Sequence, residues 1–187
     1  MRKNIIAIVA VVILAVWGFY DYYAKENTVN RGTNNQQQTT ADIKVGINKG
    51  NKAPEFELLT LDGKKVKLSD FASKKIILNF WATWCPPCRA EMPHMEKFYK
   101  DYEKKDVVVL AVNLTQTEKK RSDVTAFVQD FGLTFPIVMD EDGNVMNKYQ
   151  IVAYPTSYII DSKGIIKEKF QGAINYEVME KAISKIK

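Results

Sequence analysis

Cysteine and histidine are the scarcest residues of this sequence, which has two Cys and one His in 187 residues. A structural zinc site usually takes four Cys or His ligands, and the chain has three such residues in all. We therefore expect neither a metal nor a cofactor.

Long blocks of one charge sign and internal repeats are also missing. Residues 1–50 carry six Lys and Arg against three Asp and Glu, so residues 51–187 hold a net charge of +2 out of the total of +5. A surface that binds nucleic acid through its phosphates needs concentrated positive charge. We therefore expect no nucleic-acid partner.

The N-terminus has the pattern of a membrane anchor. Arg2 and Lys3 precede sixteen uncharged residues, 5–20, and two tyrosines suited to a membrane interface follow them. No Ala-x-Ala cleavage site follows, and no cysteine lies nearby for lipid attachment. We expect residues 1–23 to be an uncleaved single-pass anchor with the rest of the chain on the extracytoplasmic side. Cleavage near residues 16–18, as in a signal peptide, is the alternative.

The rest of the chain divides into a linker and one domain. Residues 24–50 include the polar run 34–40, which has no large apolar residue and cannot support a core. We interpret 24–50 as a flexible linker. The 137 residues that follow, 51–187, suit one compact domain, and we expect a monomer.

The two cysteines lie where a predicted strand meets a predicted helix. An apolar run at 76–81 has the character of a buried strand, and apolar residues from Met92 to Tyr102 recur at helical spacing. Proline is tolerated in the first turn of a helix, where its missing N–H would have no partner. The sequence therefore places Cys85 and Cys88 at a helix N-terminus. Unpaired N–H groups and the helix dipole favour a thiolate there, which indicates a redox site.

Other patterns along the domain predict alternating strands and helices. We expect a hairpin at 56–67, a strand at 75–81, a helix broken or kinked at Pro93, and a parallel strand at 107–112. A helix that ends at Gly132 follows, then short elements up to 149, a hairpin at 157–170 and a final helix capped by Asn175. This order is typical of an α/β sandwich with a mixed central sheet flanked by helices.

Several motifs resemble those of a known family. The most specific are Tyr154-Pro155-Thr156 and the run Trp84-Cys85-Pro86-Pro87-Cys88. Together with Pro93 they resemble the thioredoxin superfamily, and the segments 51–58 and 68–71 are similar to its TlpA/ResA branch of extracytoplasmic thiol–disulfide oxidoreductases. The resemblance covers residues 51–187. It implies a thioredoxin-like fold with an N-terminal β-hairpin extension. Asn79 departs from thioredoxin, which usually has a buried Asp there.

The order of the two thiols suggests their roles. Cys85 comes first, so we expect it to be the exposed nucleophile that attacks a substrate disulfide, and Cys88 to be the resolving thiol. A purely structural disulfide is the alternative, and a loop this short would stabilise the fold by only roughly 2 kcal/mol. Pro86 and Pro87 stiffen the turn and remove two N–H donors. We count them with the substrate-binding residues, together with Trp84, for which a packing role is the alternative.

The resemblance adds three further candidates. Pro155 stands where the family has a cis-proline facing the cysteine pair, although a trans turn proline is the commoner case for an arbitrary X–Pro bond. A cis bond there would leave the backbone of Tyr154 free to pair with an extended substrate. Glu91 matches an acid of ResA-like proteins and is a candidate proton carrier for Cys88. An ordinary exposed helix glutamate is the other interpretation of Glu91.

These residues predict a protein-disulfide reductase that acts on secreted or envelope proteins. The resemblance implies apocytochrome c, a sporulation protein or envelope proteins in general as clients, and the residues do not select among them. The resemblance implies a membrane thiol carrier of the CcdA or DsbD type as its electron donor. A disulfide-forming oxidase with the same residues is the main alternative. A peroxiredoxin and a thioredoxin-fold copper chaperone fit less well. The first needs a Pro-x-x-x-Thr-x-x-Cys pattern that this sequence lacks, and the second needs a CxxxC pair with a distant His.

Overall fold

The computed structural model describes residues 43–186, together with Val16, Trp17 and Phe19. The expected membrane anchor, 1–23, and most of the expected linker, 24–50, therefore lie outside the described residues. In the described part of the chain, none of the helices has both the length and the apolar character that a membrane crossing requires.

Within the described residues a mixed sheet of seven strands forms the centre of the fold. Its spatial order is β2-β1-β5-β4-β3-β6-β7. The strands are β1 Glu57–Thr60, β2 Lys65–Lys67, β3 Lys75–Trp81, β4 Val107–Asn113, β5 Ile137–Met139, β6 Thr156–Ile160 and β7 Ile166–Gln171. Strands β3, β4 and β5 are parallel, and the pairs β1–β2, β1–β5, β3–β6 and β6–β7 are antiparallel. This is the α/β sandwich that the alternating pattern predicts.

Helices cover both faces of this sheet. They are α1 Pro86–Tyr102, α2 Arg121–Asp130, α3 Asn144–Lys148 and α4 Tyr176–Ser184. One core cluster joins α1, α2 and α4 to residues such as Ile77 and Trp81, and a second joins α3 to Leu78 and Phe80. Because side chains alternate along a strand, β3 supplies both clusters. Its neighbour β4 is buried along its whole length, as expected of a central parallel strand.

Helix α1 continues through Pro93, so of the predicted break or kink the break is wrong. The helix is assigned without interruption over all its 17 residues. Proline removes one backbone hydrogen bond from a helix interior. Here the proline faces solvent, while Met92, Met95 and Phe98 on both sides of it are fully buried. Their packing holds the helix on the sheet despite the missing bond.

The segment before residue 52 is attached to the domain. The N–H of Gly50 donates to the carbonyl oxygen of Ile166 at 2.8 Å, and the N–H of Ile166 donates to the carbonyl oxygen of Asn51 at 2.9 Å. The N–H of Lys52 also donates to the carbonyl oxygen of Lys44 at 3.0 Å. Residues 44–50, which the sequence pattern assigns to the linker, therefore lie against the beginning of β7.

Candidate active site

Cys85 and Cys88 form a disulfide at the N-terminus of α1. Cys85 is the N-cap residue, in an extended conformation, and Pro86 and Pro87 occupy the first two helical positions. Because neither proline has an N–H, the first backbone donor of the helix belongs to Cys88. That N–H donates to the Cys85 sulfur across 3.3 Å. The helix start therefore directs a hydrogen bond and its dipole at Cys85, as the sequence predicts.

Cys85 and Cys88 both lie beneath the surface of the domain. Cys85 retains 3% of its accessible area and Cys88 retains none. The expectation that Cys85 is exposed is therefore wrong for this disulfide form, because the residue packs into the core cluster beneath α1. Cys85 is nevertheless the more accessible of the two. The order of attack inferred from the sequence, with Cys85 first, stays a prediction.

Trp84 and Tyr154 lie together at the surface beside this disulfide. The Trp84 side chain is half exposed, and its ring meets that of Tyr154 edge to face with centroids 5.8 Å apart. The indole N–H of Trp84 donates to the carbonyl oxygen of Thr117 at 3.1 Å. The structure thus places Trp84 at the border of the active-site surface. Substrate binding by these two rings stays a prediction.

The Tyr154–Pro155 peptide bond is cis, as the family resemblance implies. Thr156, the next residue, pairs with Phe80, so Pro155 lies at the same end of the sheet as the disulfide. The carbonyl oxygen of Pro155 accepts from the N–H of Gly172 at 2.8 Å. Among the described residues, no hydrogen bond engages the backbone N–H or carbonyl of Tyr154. The arrangement can therefore accept an extended substrate segment at Tyr154.

Glu91 lies in a buried polar cluster under the disulfide. It is 1% exposed, so the alternative of an ordinary surface glutamate is wrong. The amide Nδ2 of Asn79 donates to Glu91 Oε1 at 3.2 Å and to the hydroxyl of Ser157 at 3.0 Å. Since residues three apart share a helix face, Glu91 and Cys88 point into the same core. The carboxyl thus stands beside the strand position at which thioredoxin has its buried Asp.

Burial raises the pKa of Glu91 to about 8. An ionised carboxylate is costly to bury without a cation or several donors, and Glu91 Oε2 has no hydrogen-bond partner in the described structure. The carboxyl is therefore mostly neutral at pH 7. At pH 7 Glu91 therefore holds little of the negative charge that would oppose a Cys85 thiolate.

Arg89 does not lie against the cysteine pair, although its position in the sequence allows such a contact. Its guanidinium is 5.1 Å from the ring centroids of both Phe127 and Phe131. It also donates to the carbonyl oxygen of Thr83 at 3.3 Å. Arg89 therefore attaches α1 to α2 and leaves stabilisation of a thiolate to the helix N-terminus.

Glu118 is a residue of this site that the sequence does not indicate. Its Oε1 accepts from the Thr83 N–H at 2.7 Å and from Asn113 Nδ2 at 2.9 Å, and its Oε2 accepts from the Thr83 hydroxyl. Thr83 is two residues before Cys85. The carboxylate thus fixes the active-site loop to the end of β4. Glu118 is 35 residues from Thr83, so no local pattern points to this contact.

We expect Glu118→Ala to loosen the loop that carries Cys85. Three hydrogen bonds are lost, two of them to backbone or hydroxyl groups of Thr83, so the free energy of unfolding should fall by roughly 2–3 kcal/mol. Insulin reduction should slow several-fold. Glu103→Ala is the matched control, because Glu103 is exposed and has no side-chain partner in the described structure. Equal denaturation midpoints for the two variants would remove Glu118 from this role.

In the described part of the chain, no three His, Cys, Asp or Glu side chains come together in a way that could hold a metal ion. The chemistry that the site does offer is thiol exchange. Another thiol can attack a disulfide at a helix N-terminus through the more accessible first cysteine. The second cysteine can then attack the mixed disulfide and form the enzyme disulfide again. On this sheet, with a cis-proline loop beside it, that arrangement defines the class of thioredoxin-like thiol–disulfide oxidoreductases.

Comparisons with known proteins agree with this class. Residues 49–169 match the model of the AhpC/TSA family. Thioredoxin-like protein YneN of Bacillus subtilis is 46% identical over 149 residues, which are 80% of this chain and 86% of that protein. Thiol-disulfide oxidoreductase ResA of Geobacillus kaustophilus is 40% identical over 144 residues, covering 77% of this chain and 81% of that protein.

A solved structure gives the same result. StoA from Bacillus subtilis superposes with a TM-score of 0.63 and 33% identity, covering 70% of this chain and 96% of StoA. The chain belongs to the AhpC/TSA family and, within it, to the ResA-like thiol–disulfide oxidoreductases.

Proposed function

We propose that this protein reduces disulfide bonds in extracytoplasmic proteins. The Cys85 thiolate attacks one sulfur of the substrate disulfide, so that a mixed disulfide forms and the other substrate sulfur leaves as a thiolate. Cys88 then attacks the Cys85 sulfur, which closes the enzyme disulfide and releases the second substrate thiolate. Two electrons and the protons of two enzyme thiols pass to the substrate. The greater accessibility of Cys85 supports this order.

Glu91 is suited to handle the proton of Cys88. A carboxyl with a pKa of about 8 is close to a free cysteine thiol, whose pKa is about 8.5. Proton transfer between groups of similar pKa costs little in either direction. The ionised form of Glu91, a minority at pH 7 that grows as the pH approaches 8, can therefore take the proton as Cys88 attacks and pass it to the departing substrate thiolate. Its position on the same buried helix face as Cys88 supports this role.

The direction of the reaction is the part of the proposal that one experiment tests most sharply. We expect a reduction potential nearer to the roughly −270 mV of thioredoxin than to the roughly −120 mV of a strong oxidant. The ResA-like relatives support this expectation, while the neutral Glu91 neither favours nor opposes it. The purified protein should be equilibrated with glutathione redox buffers, and its thiol state trapped in cells.

A potential above about −180 mV, with mainly disulfide protein in cells, would make the protein an oxidase. Steady consumption of hydrogen peroxide by the dithiol protein would instead favour a peroxidase. Insulin reduction is expected of either a reductase or an oxidase when excess dithiol is present, so the potential and the thiol state in cells decide between the two.

The client and the electron donor are the finer parts of the proposal. Apocytochrome c is the substrate that the ResA resemblance implies, and a membrane thiol carrier of the CcdA or DsbD type is the donor it implies. A Cys88→Ser variant should trap the client through Cys85. An oxidised peptide carrying the CxxCH motif of an apocytochrome should then react faster than insulin does. Equal rates would indicate a general reductase of envelope disulfides.

We also propose that residues 1–23 anchor the protein in the cell membrane as a monomer, with the catalytic domain outside. The positive residues before the uncharged run 5–20 support this orientation. We expect the full chain to stay in the membrane fraction after an alkaline carbonate wash, and its domain to be digested by protease added from outside. A soluble, shortened form that begins near Phe19 would show instead that the segment is a cleaved signal peptide.

A further inference from the structure

A groove with lysines on both sides runs between β7 and α4. It consists of two adjoining depressions of about 530 and 470 Å³ that share several lining residues. Its floor contains apolar residues such as Ile165, Ala182 and Ile186, which are largely buried. We call it the basic groove and define it by its six lysines, Lys49, Lys163, Lys167, Lys169, Lys181 and Lys185.

The basic groove contains positive charge that the fold does not neutralise. Asp161 pairs with Lys167 at 2.9 Å, and Glu168 pairs with Lys185 at 3.1 Å. The other four lysines have no carboxylate within ion-pair distance in the described structure, so the groove has a formal charge of +4. Residues 43–186 contain 22 Lys and Arg and 19 Asp and Glu, a net charge of +3. The groove therefore carries more net positive charge than residues 43–186 do as a whole.

The groove lies at the end of the sheet opposite to the disulfide. Ile166 at the start of β7 pairs with Ile160, and Ile160 pairs with Ile76 near the start of β3. The disulfide follows the other end of β3, beyond Trp81. A partner that occupies the groove therefore leaves the cysteine pair and the Trp84–Tyr154 surface open to a substrate.

The chain enters the domain at this same place. Gly50 and Asn51 are hydrogen-bonded to Ile166 beside the groove, and Lys49 lines it. Between the uncharged run 5–20 and the first continuously described residue lie 22 residues, 21–42. Their polar composition predicts a flexible linker, which at that length would span about 25 Å. An anchor in a membrane would therefore hold the groove close to the bilayer surface at a high effective concentration.

We propose that the basic groove reversibly binds the anionic headgroups of membrane phospholipids, so that the domain is open to substrates while bound and turns its disulfide to a membrane donor when released. Lysines beside an apolar floor suit a surface that is apolar below and anionic above, because lysine stems can pack on apolar groups while their ammonium groups reach outward. Basic clusters next to a membrane segment are attracted to anionic lipid. The proposal rests on the proposed membrane anchoring, and the test below separates the two.

The test uses the full chain in two kinds of vesicle, phosphatidylcholine alone and phosphatidylcholine with 30% phosphatidylglycerol. Flotation with the neutral vesicles reports anchoring. Labelling of lysines with an amine-reactive reagent, read by mass spectrometry, reports the groove. We expect Lys163 and Lys185 to label several-fold more slowly on the anionic vesicles, and 0.5 M NaCl to abolish that protection. Lys104 and Lys120, which are exposed elsewhere, should label equally in both.

A pair of charge-matched variants sharpens the result. Lys49→Gln with Lys181→Gln should weaken the interaction roughly 10- to 30-fold and remove most of the protection at Lys163 and Lys185. Lys104→Gln with Lys120→Gln removes the same charge and should leave that protection intact. Both variants should reduce insulin at the parent rate, which shows that they are folded.

Each other outcome decides the question. If the chain does not float with neutral vesicles, the proposed anchoring by residues 1–23 is wrong. Flotation that then appears only with phosphatidylglycerol, and that salt abolishes, still supports lipid binding by the basic groove. Equal labelling in the two kinds of vesicle overturns the proposal and leaves a solvated lysine face. Protection by polyglutamate in solution, without protection by anionic vesicles, also overturns it and assigns the groove to an acidic protein partner.

Discussion

Cys85→Ser abolishes the reduction of insulin or of a model disulfide, because it removes the sulfur that forms the mixed disulfide. The Cys88 N–H, which is the first backbone donor of α1, donates to the Cys85 sulfur at 3.3 Å. The dipole of α1 adds to this stabilisation of a thiolate. We expect turnover to fall to the background rate of the assay. The measurement is insulin precipitation with an excess of a small dithiol reductant.

Cys88→Ser provides the complementary result. Without a resolving thiol the reaction stops after its first step, so mixed disulfides between Cys85 and the substrate should accumulate. Non-reducing electrophoresis followed by mass spectrometry identifies them. Alkylation of the reduced parent protein checks the assignment independently, because Cys85 should react first. If Cys88 proves to be the faster thiol, the roles of the two residues are reversed.

Glu91→Gln should lower the rate of substrate release and change its pH dependence. The parent carboxyl has its pKa raised to about 8 by burial, so the parent profile should contain an ionisation close to that pH. The amide keeps the shape of the side chain but cannot carry a proton to or from Cys88. Loss of general acid–base assistance should slow release roughly tenfold or more. Stopped-flow measurement of mixed-disulfide decay between pH 6 and 9 tests this.

Glu103→Gln is the matched control, since it changes an exposed glutamate at the end of the same helix. Its profile should follow that of the parent. Glu91→Gln with an unchanged profile would leave Glu91 as a packing residue with no part in proton transfer.

Glu91→Gln should also remove the loss of stability that the parent protein undergoes as the pH rises. The folded-state pKa of Glu91 is raised above its ordinary value of 4.5, so the unionised group contributes fully below pH 4.5. That contribution is lost as the pH rises toward 8, and the stability lost between pH 4.5 and pH 7 amounts to about 3 kcal/mol. Glu91→Gln should therefore match the parent near pH 4.5 and be the more stable protein at pH 8. Urea unfolding at both values measures the difference.

The strands and helices of the domain could be predicted because their signals are local. The run 75–81 becomes β3, the run 107–112 becomes β4 with one more residue, and Asn175 caps α4 by accepting from the Val178 N–H at 3.0 Å. Such features depend on the period of the apolar residues and on caps within a few positions. Pro93 is the exception, because packing on both sides of it outweighs the loss of one hydrogen bond.

The chemistry of the site was also predictable in outline. Two cysteines spaced three apart between a strand and a helix predict a disulfide at a helix N-terminus, and the structure has it. The family motif pointed to the cis bond before Pro155, which is also present. These features follow from short stretches of sequence whose geometry is fixed by the backbone.

The sequence by itself thus determined the fold class, the redox pair and the loop that faces it. Only the tertiary structure decided the state of Glu91, whose neutral form results from burial against Asn79 and Ser157, residues 12 and 66 positions away. It also decided how deeply Cys85 lies, how Glu118 holds Thr83, and where the lysines of the basic groove come together. Desolvation and charge depend on what surrounds a group in space, and distant parts of the chain supply those surroundings.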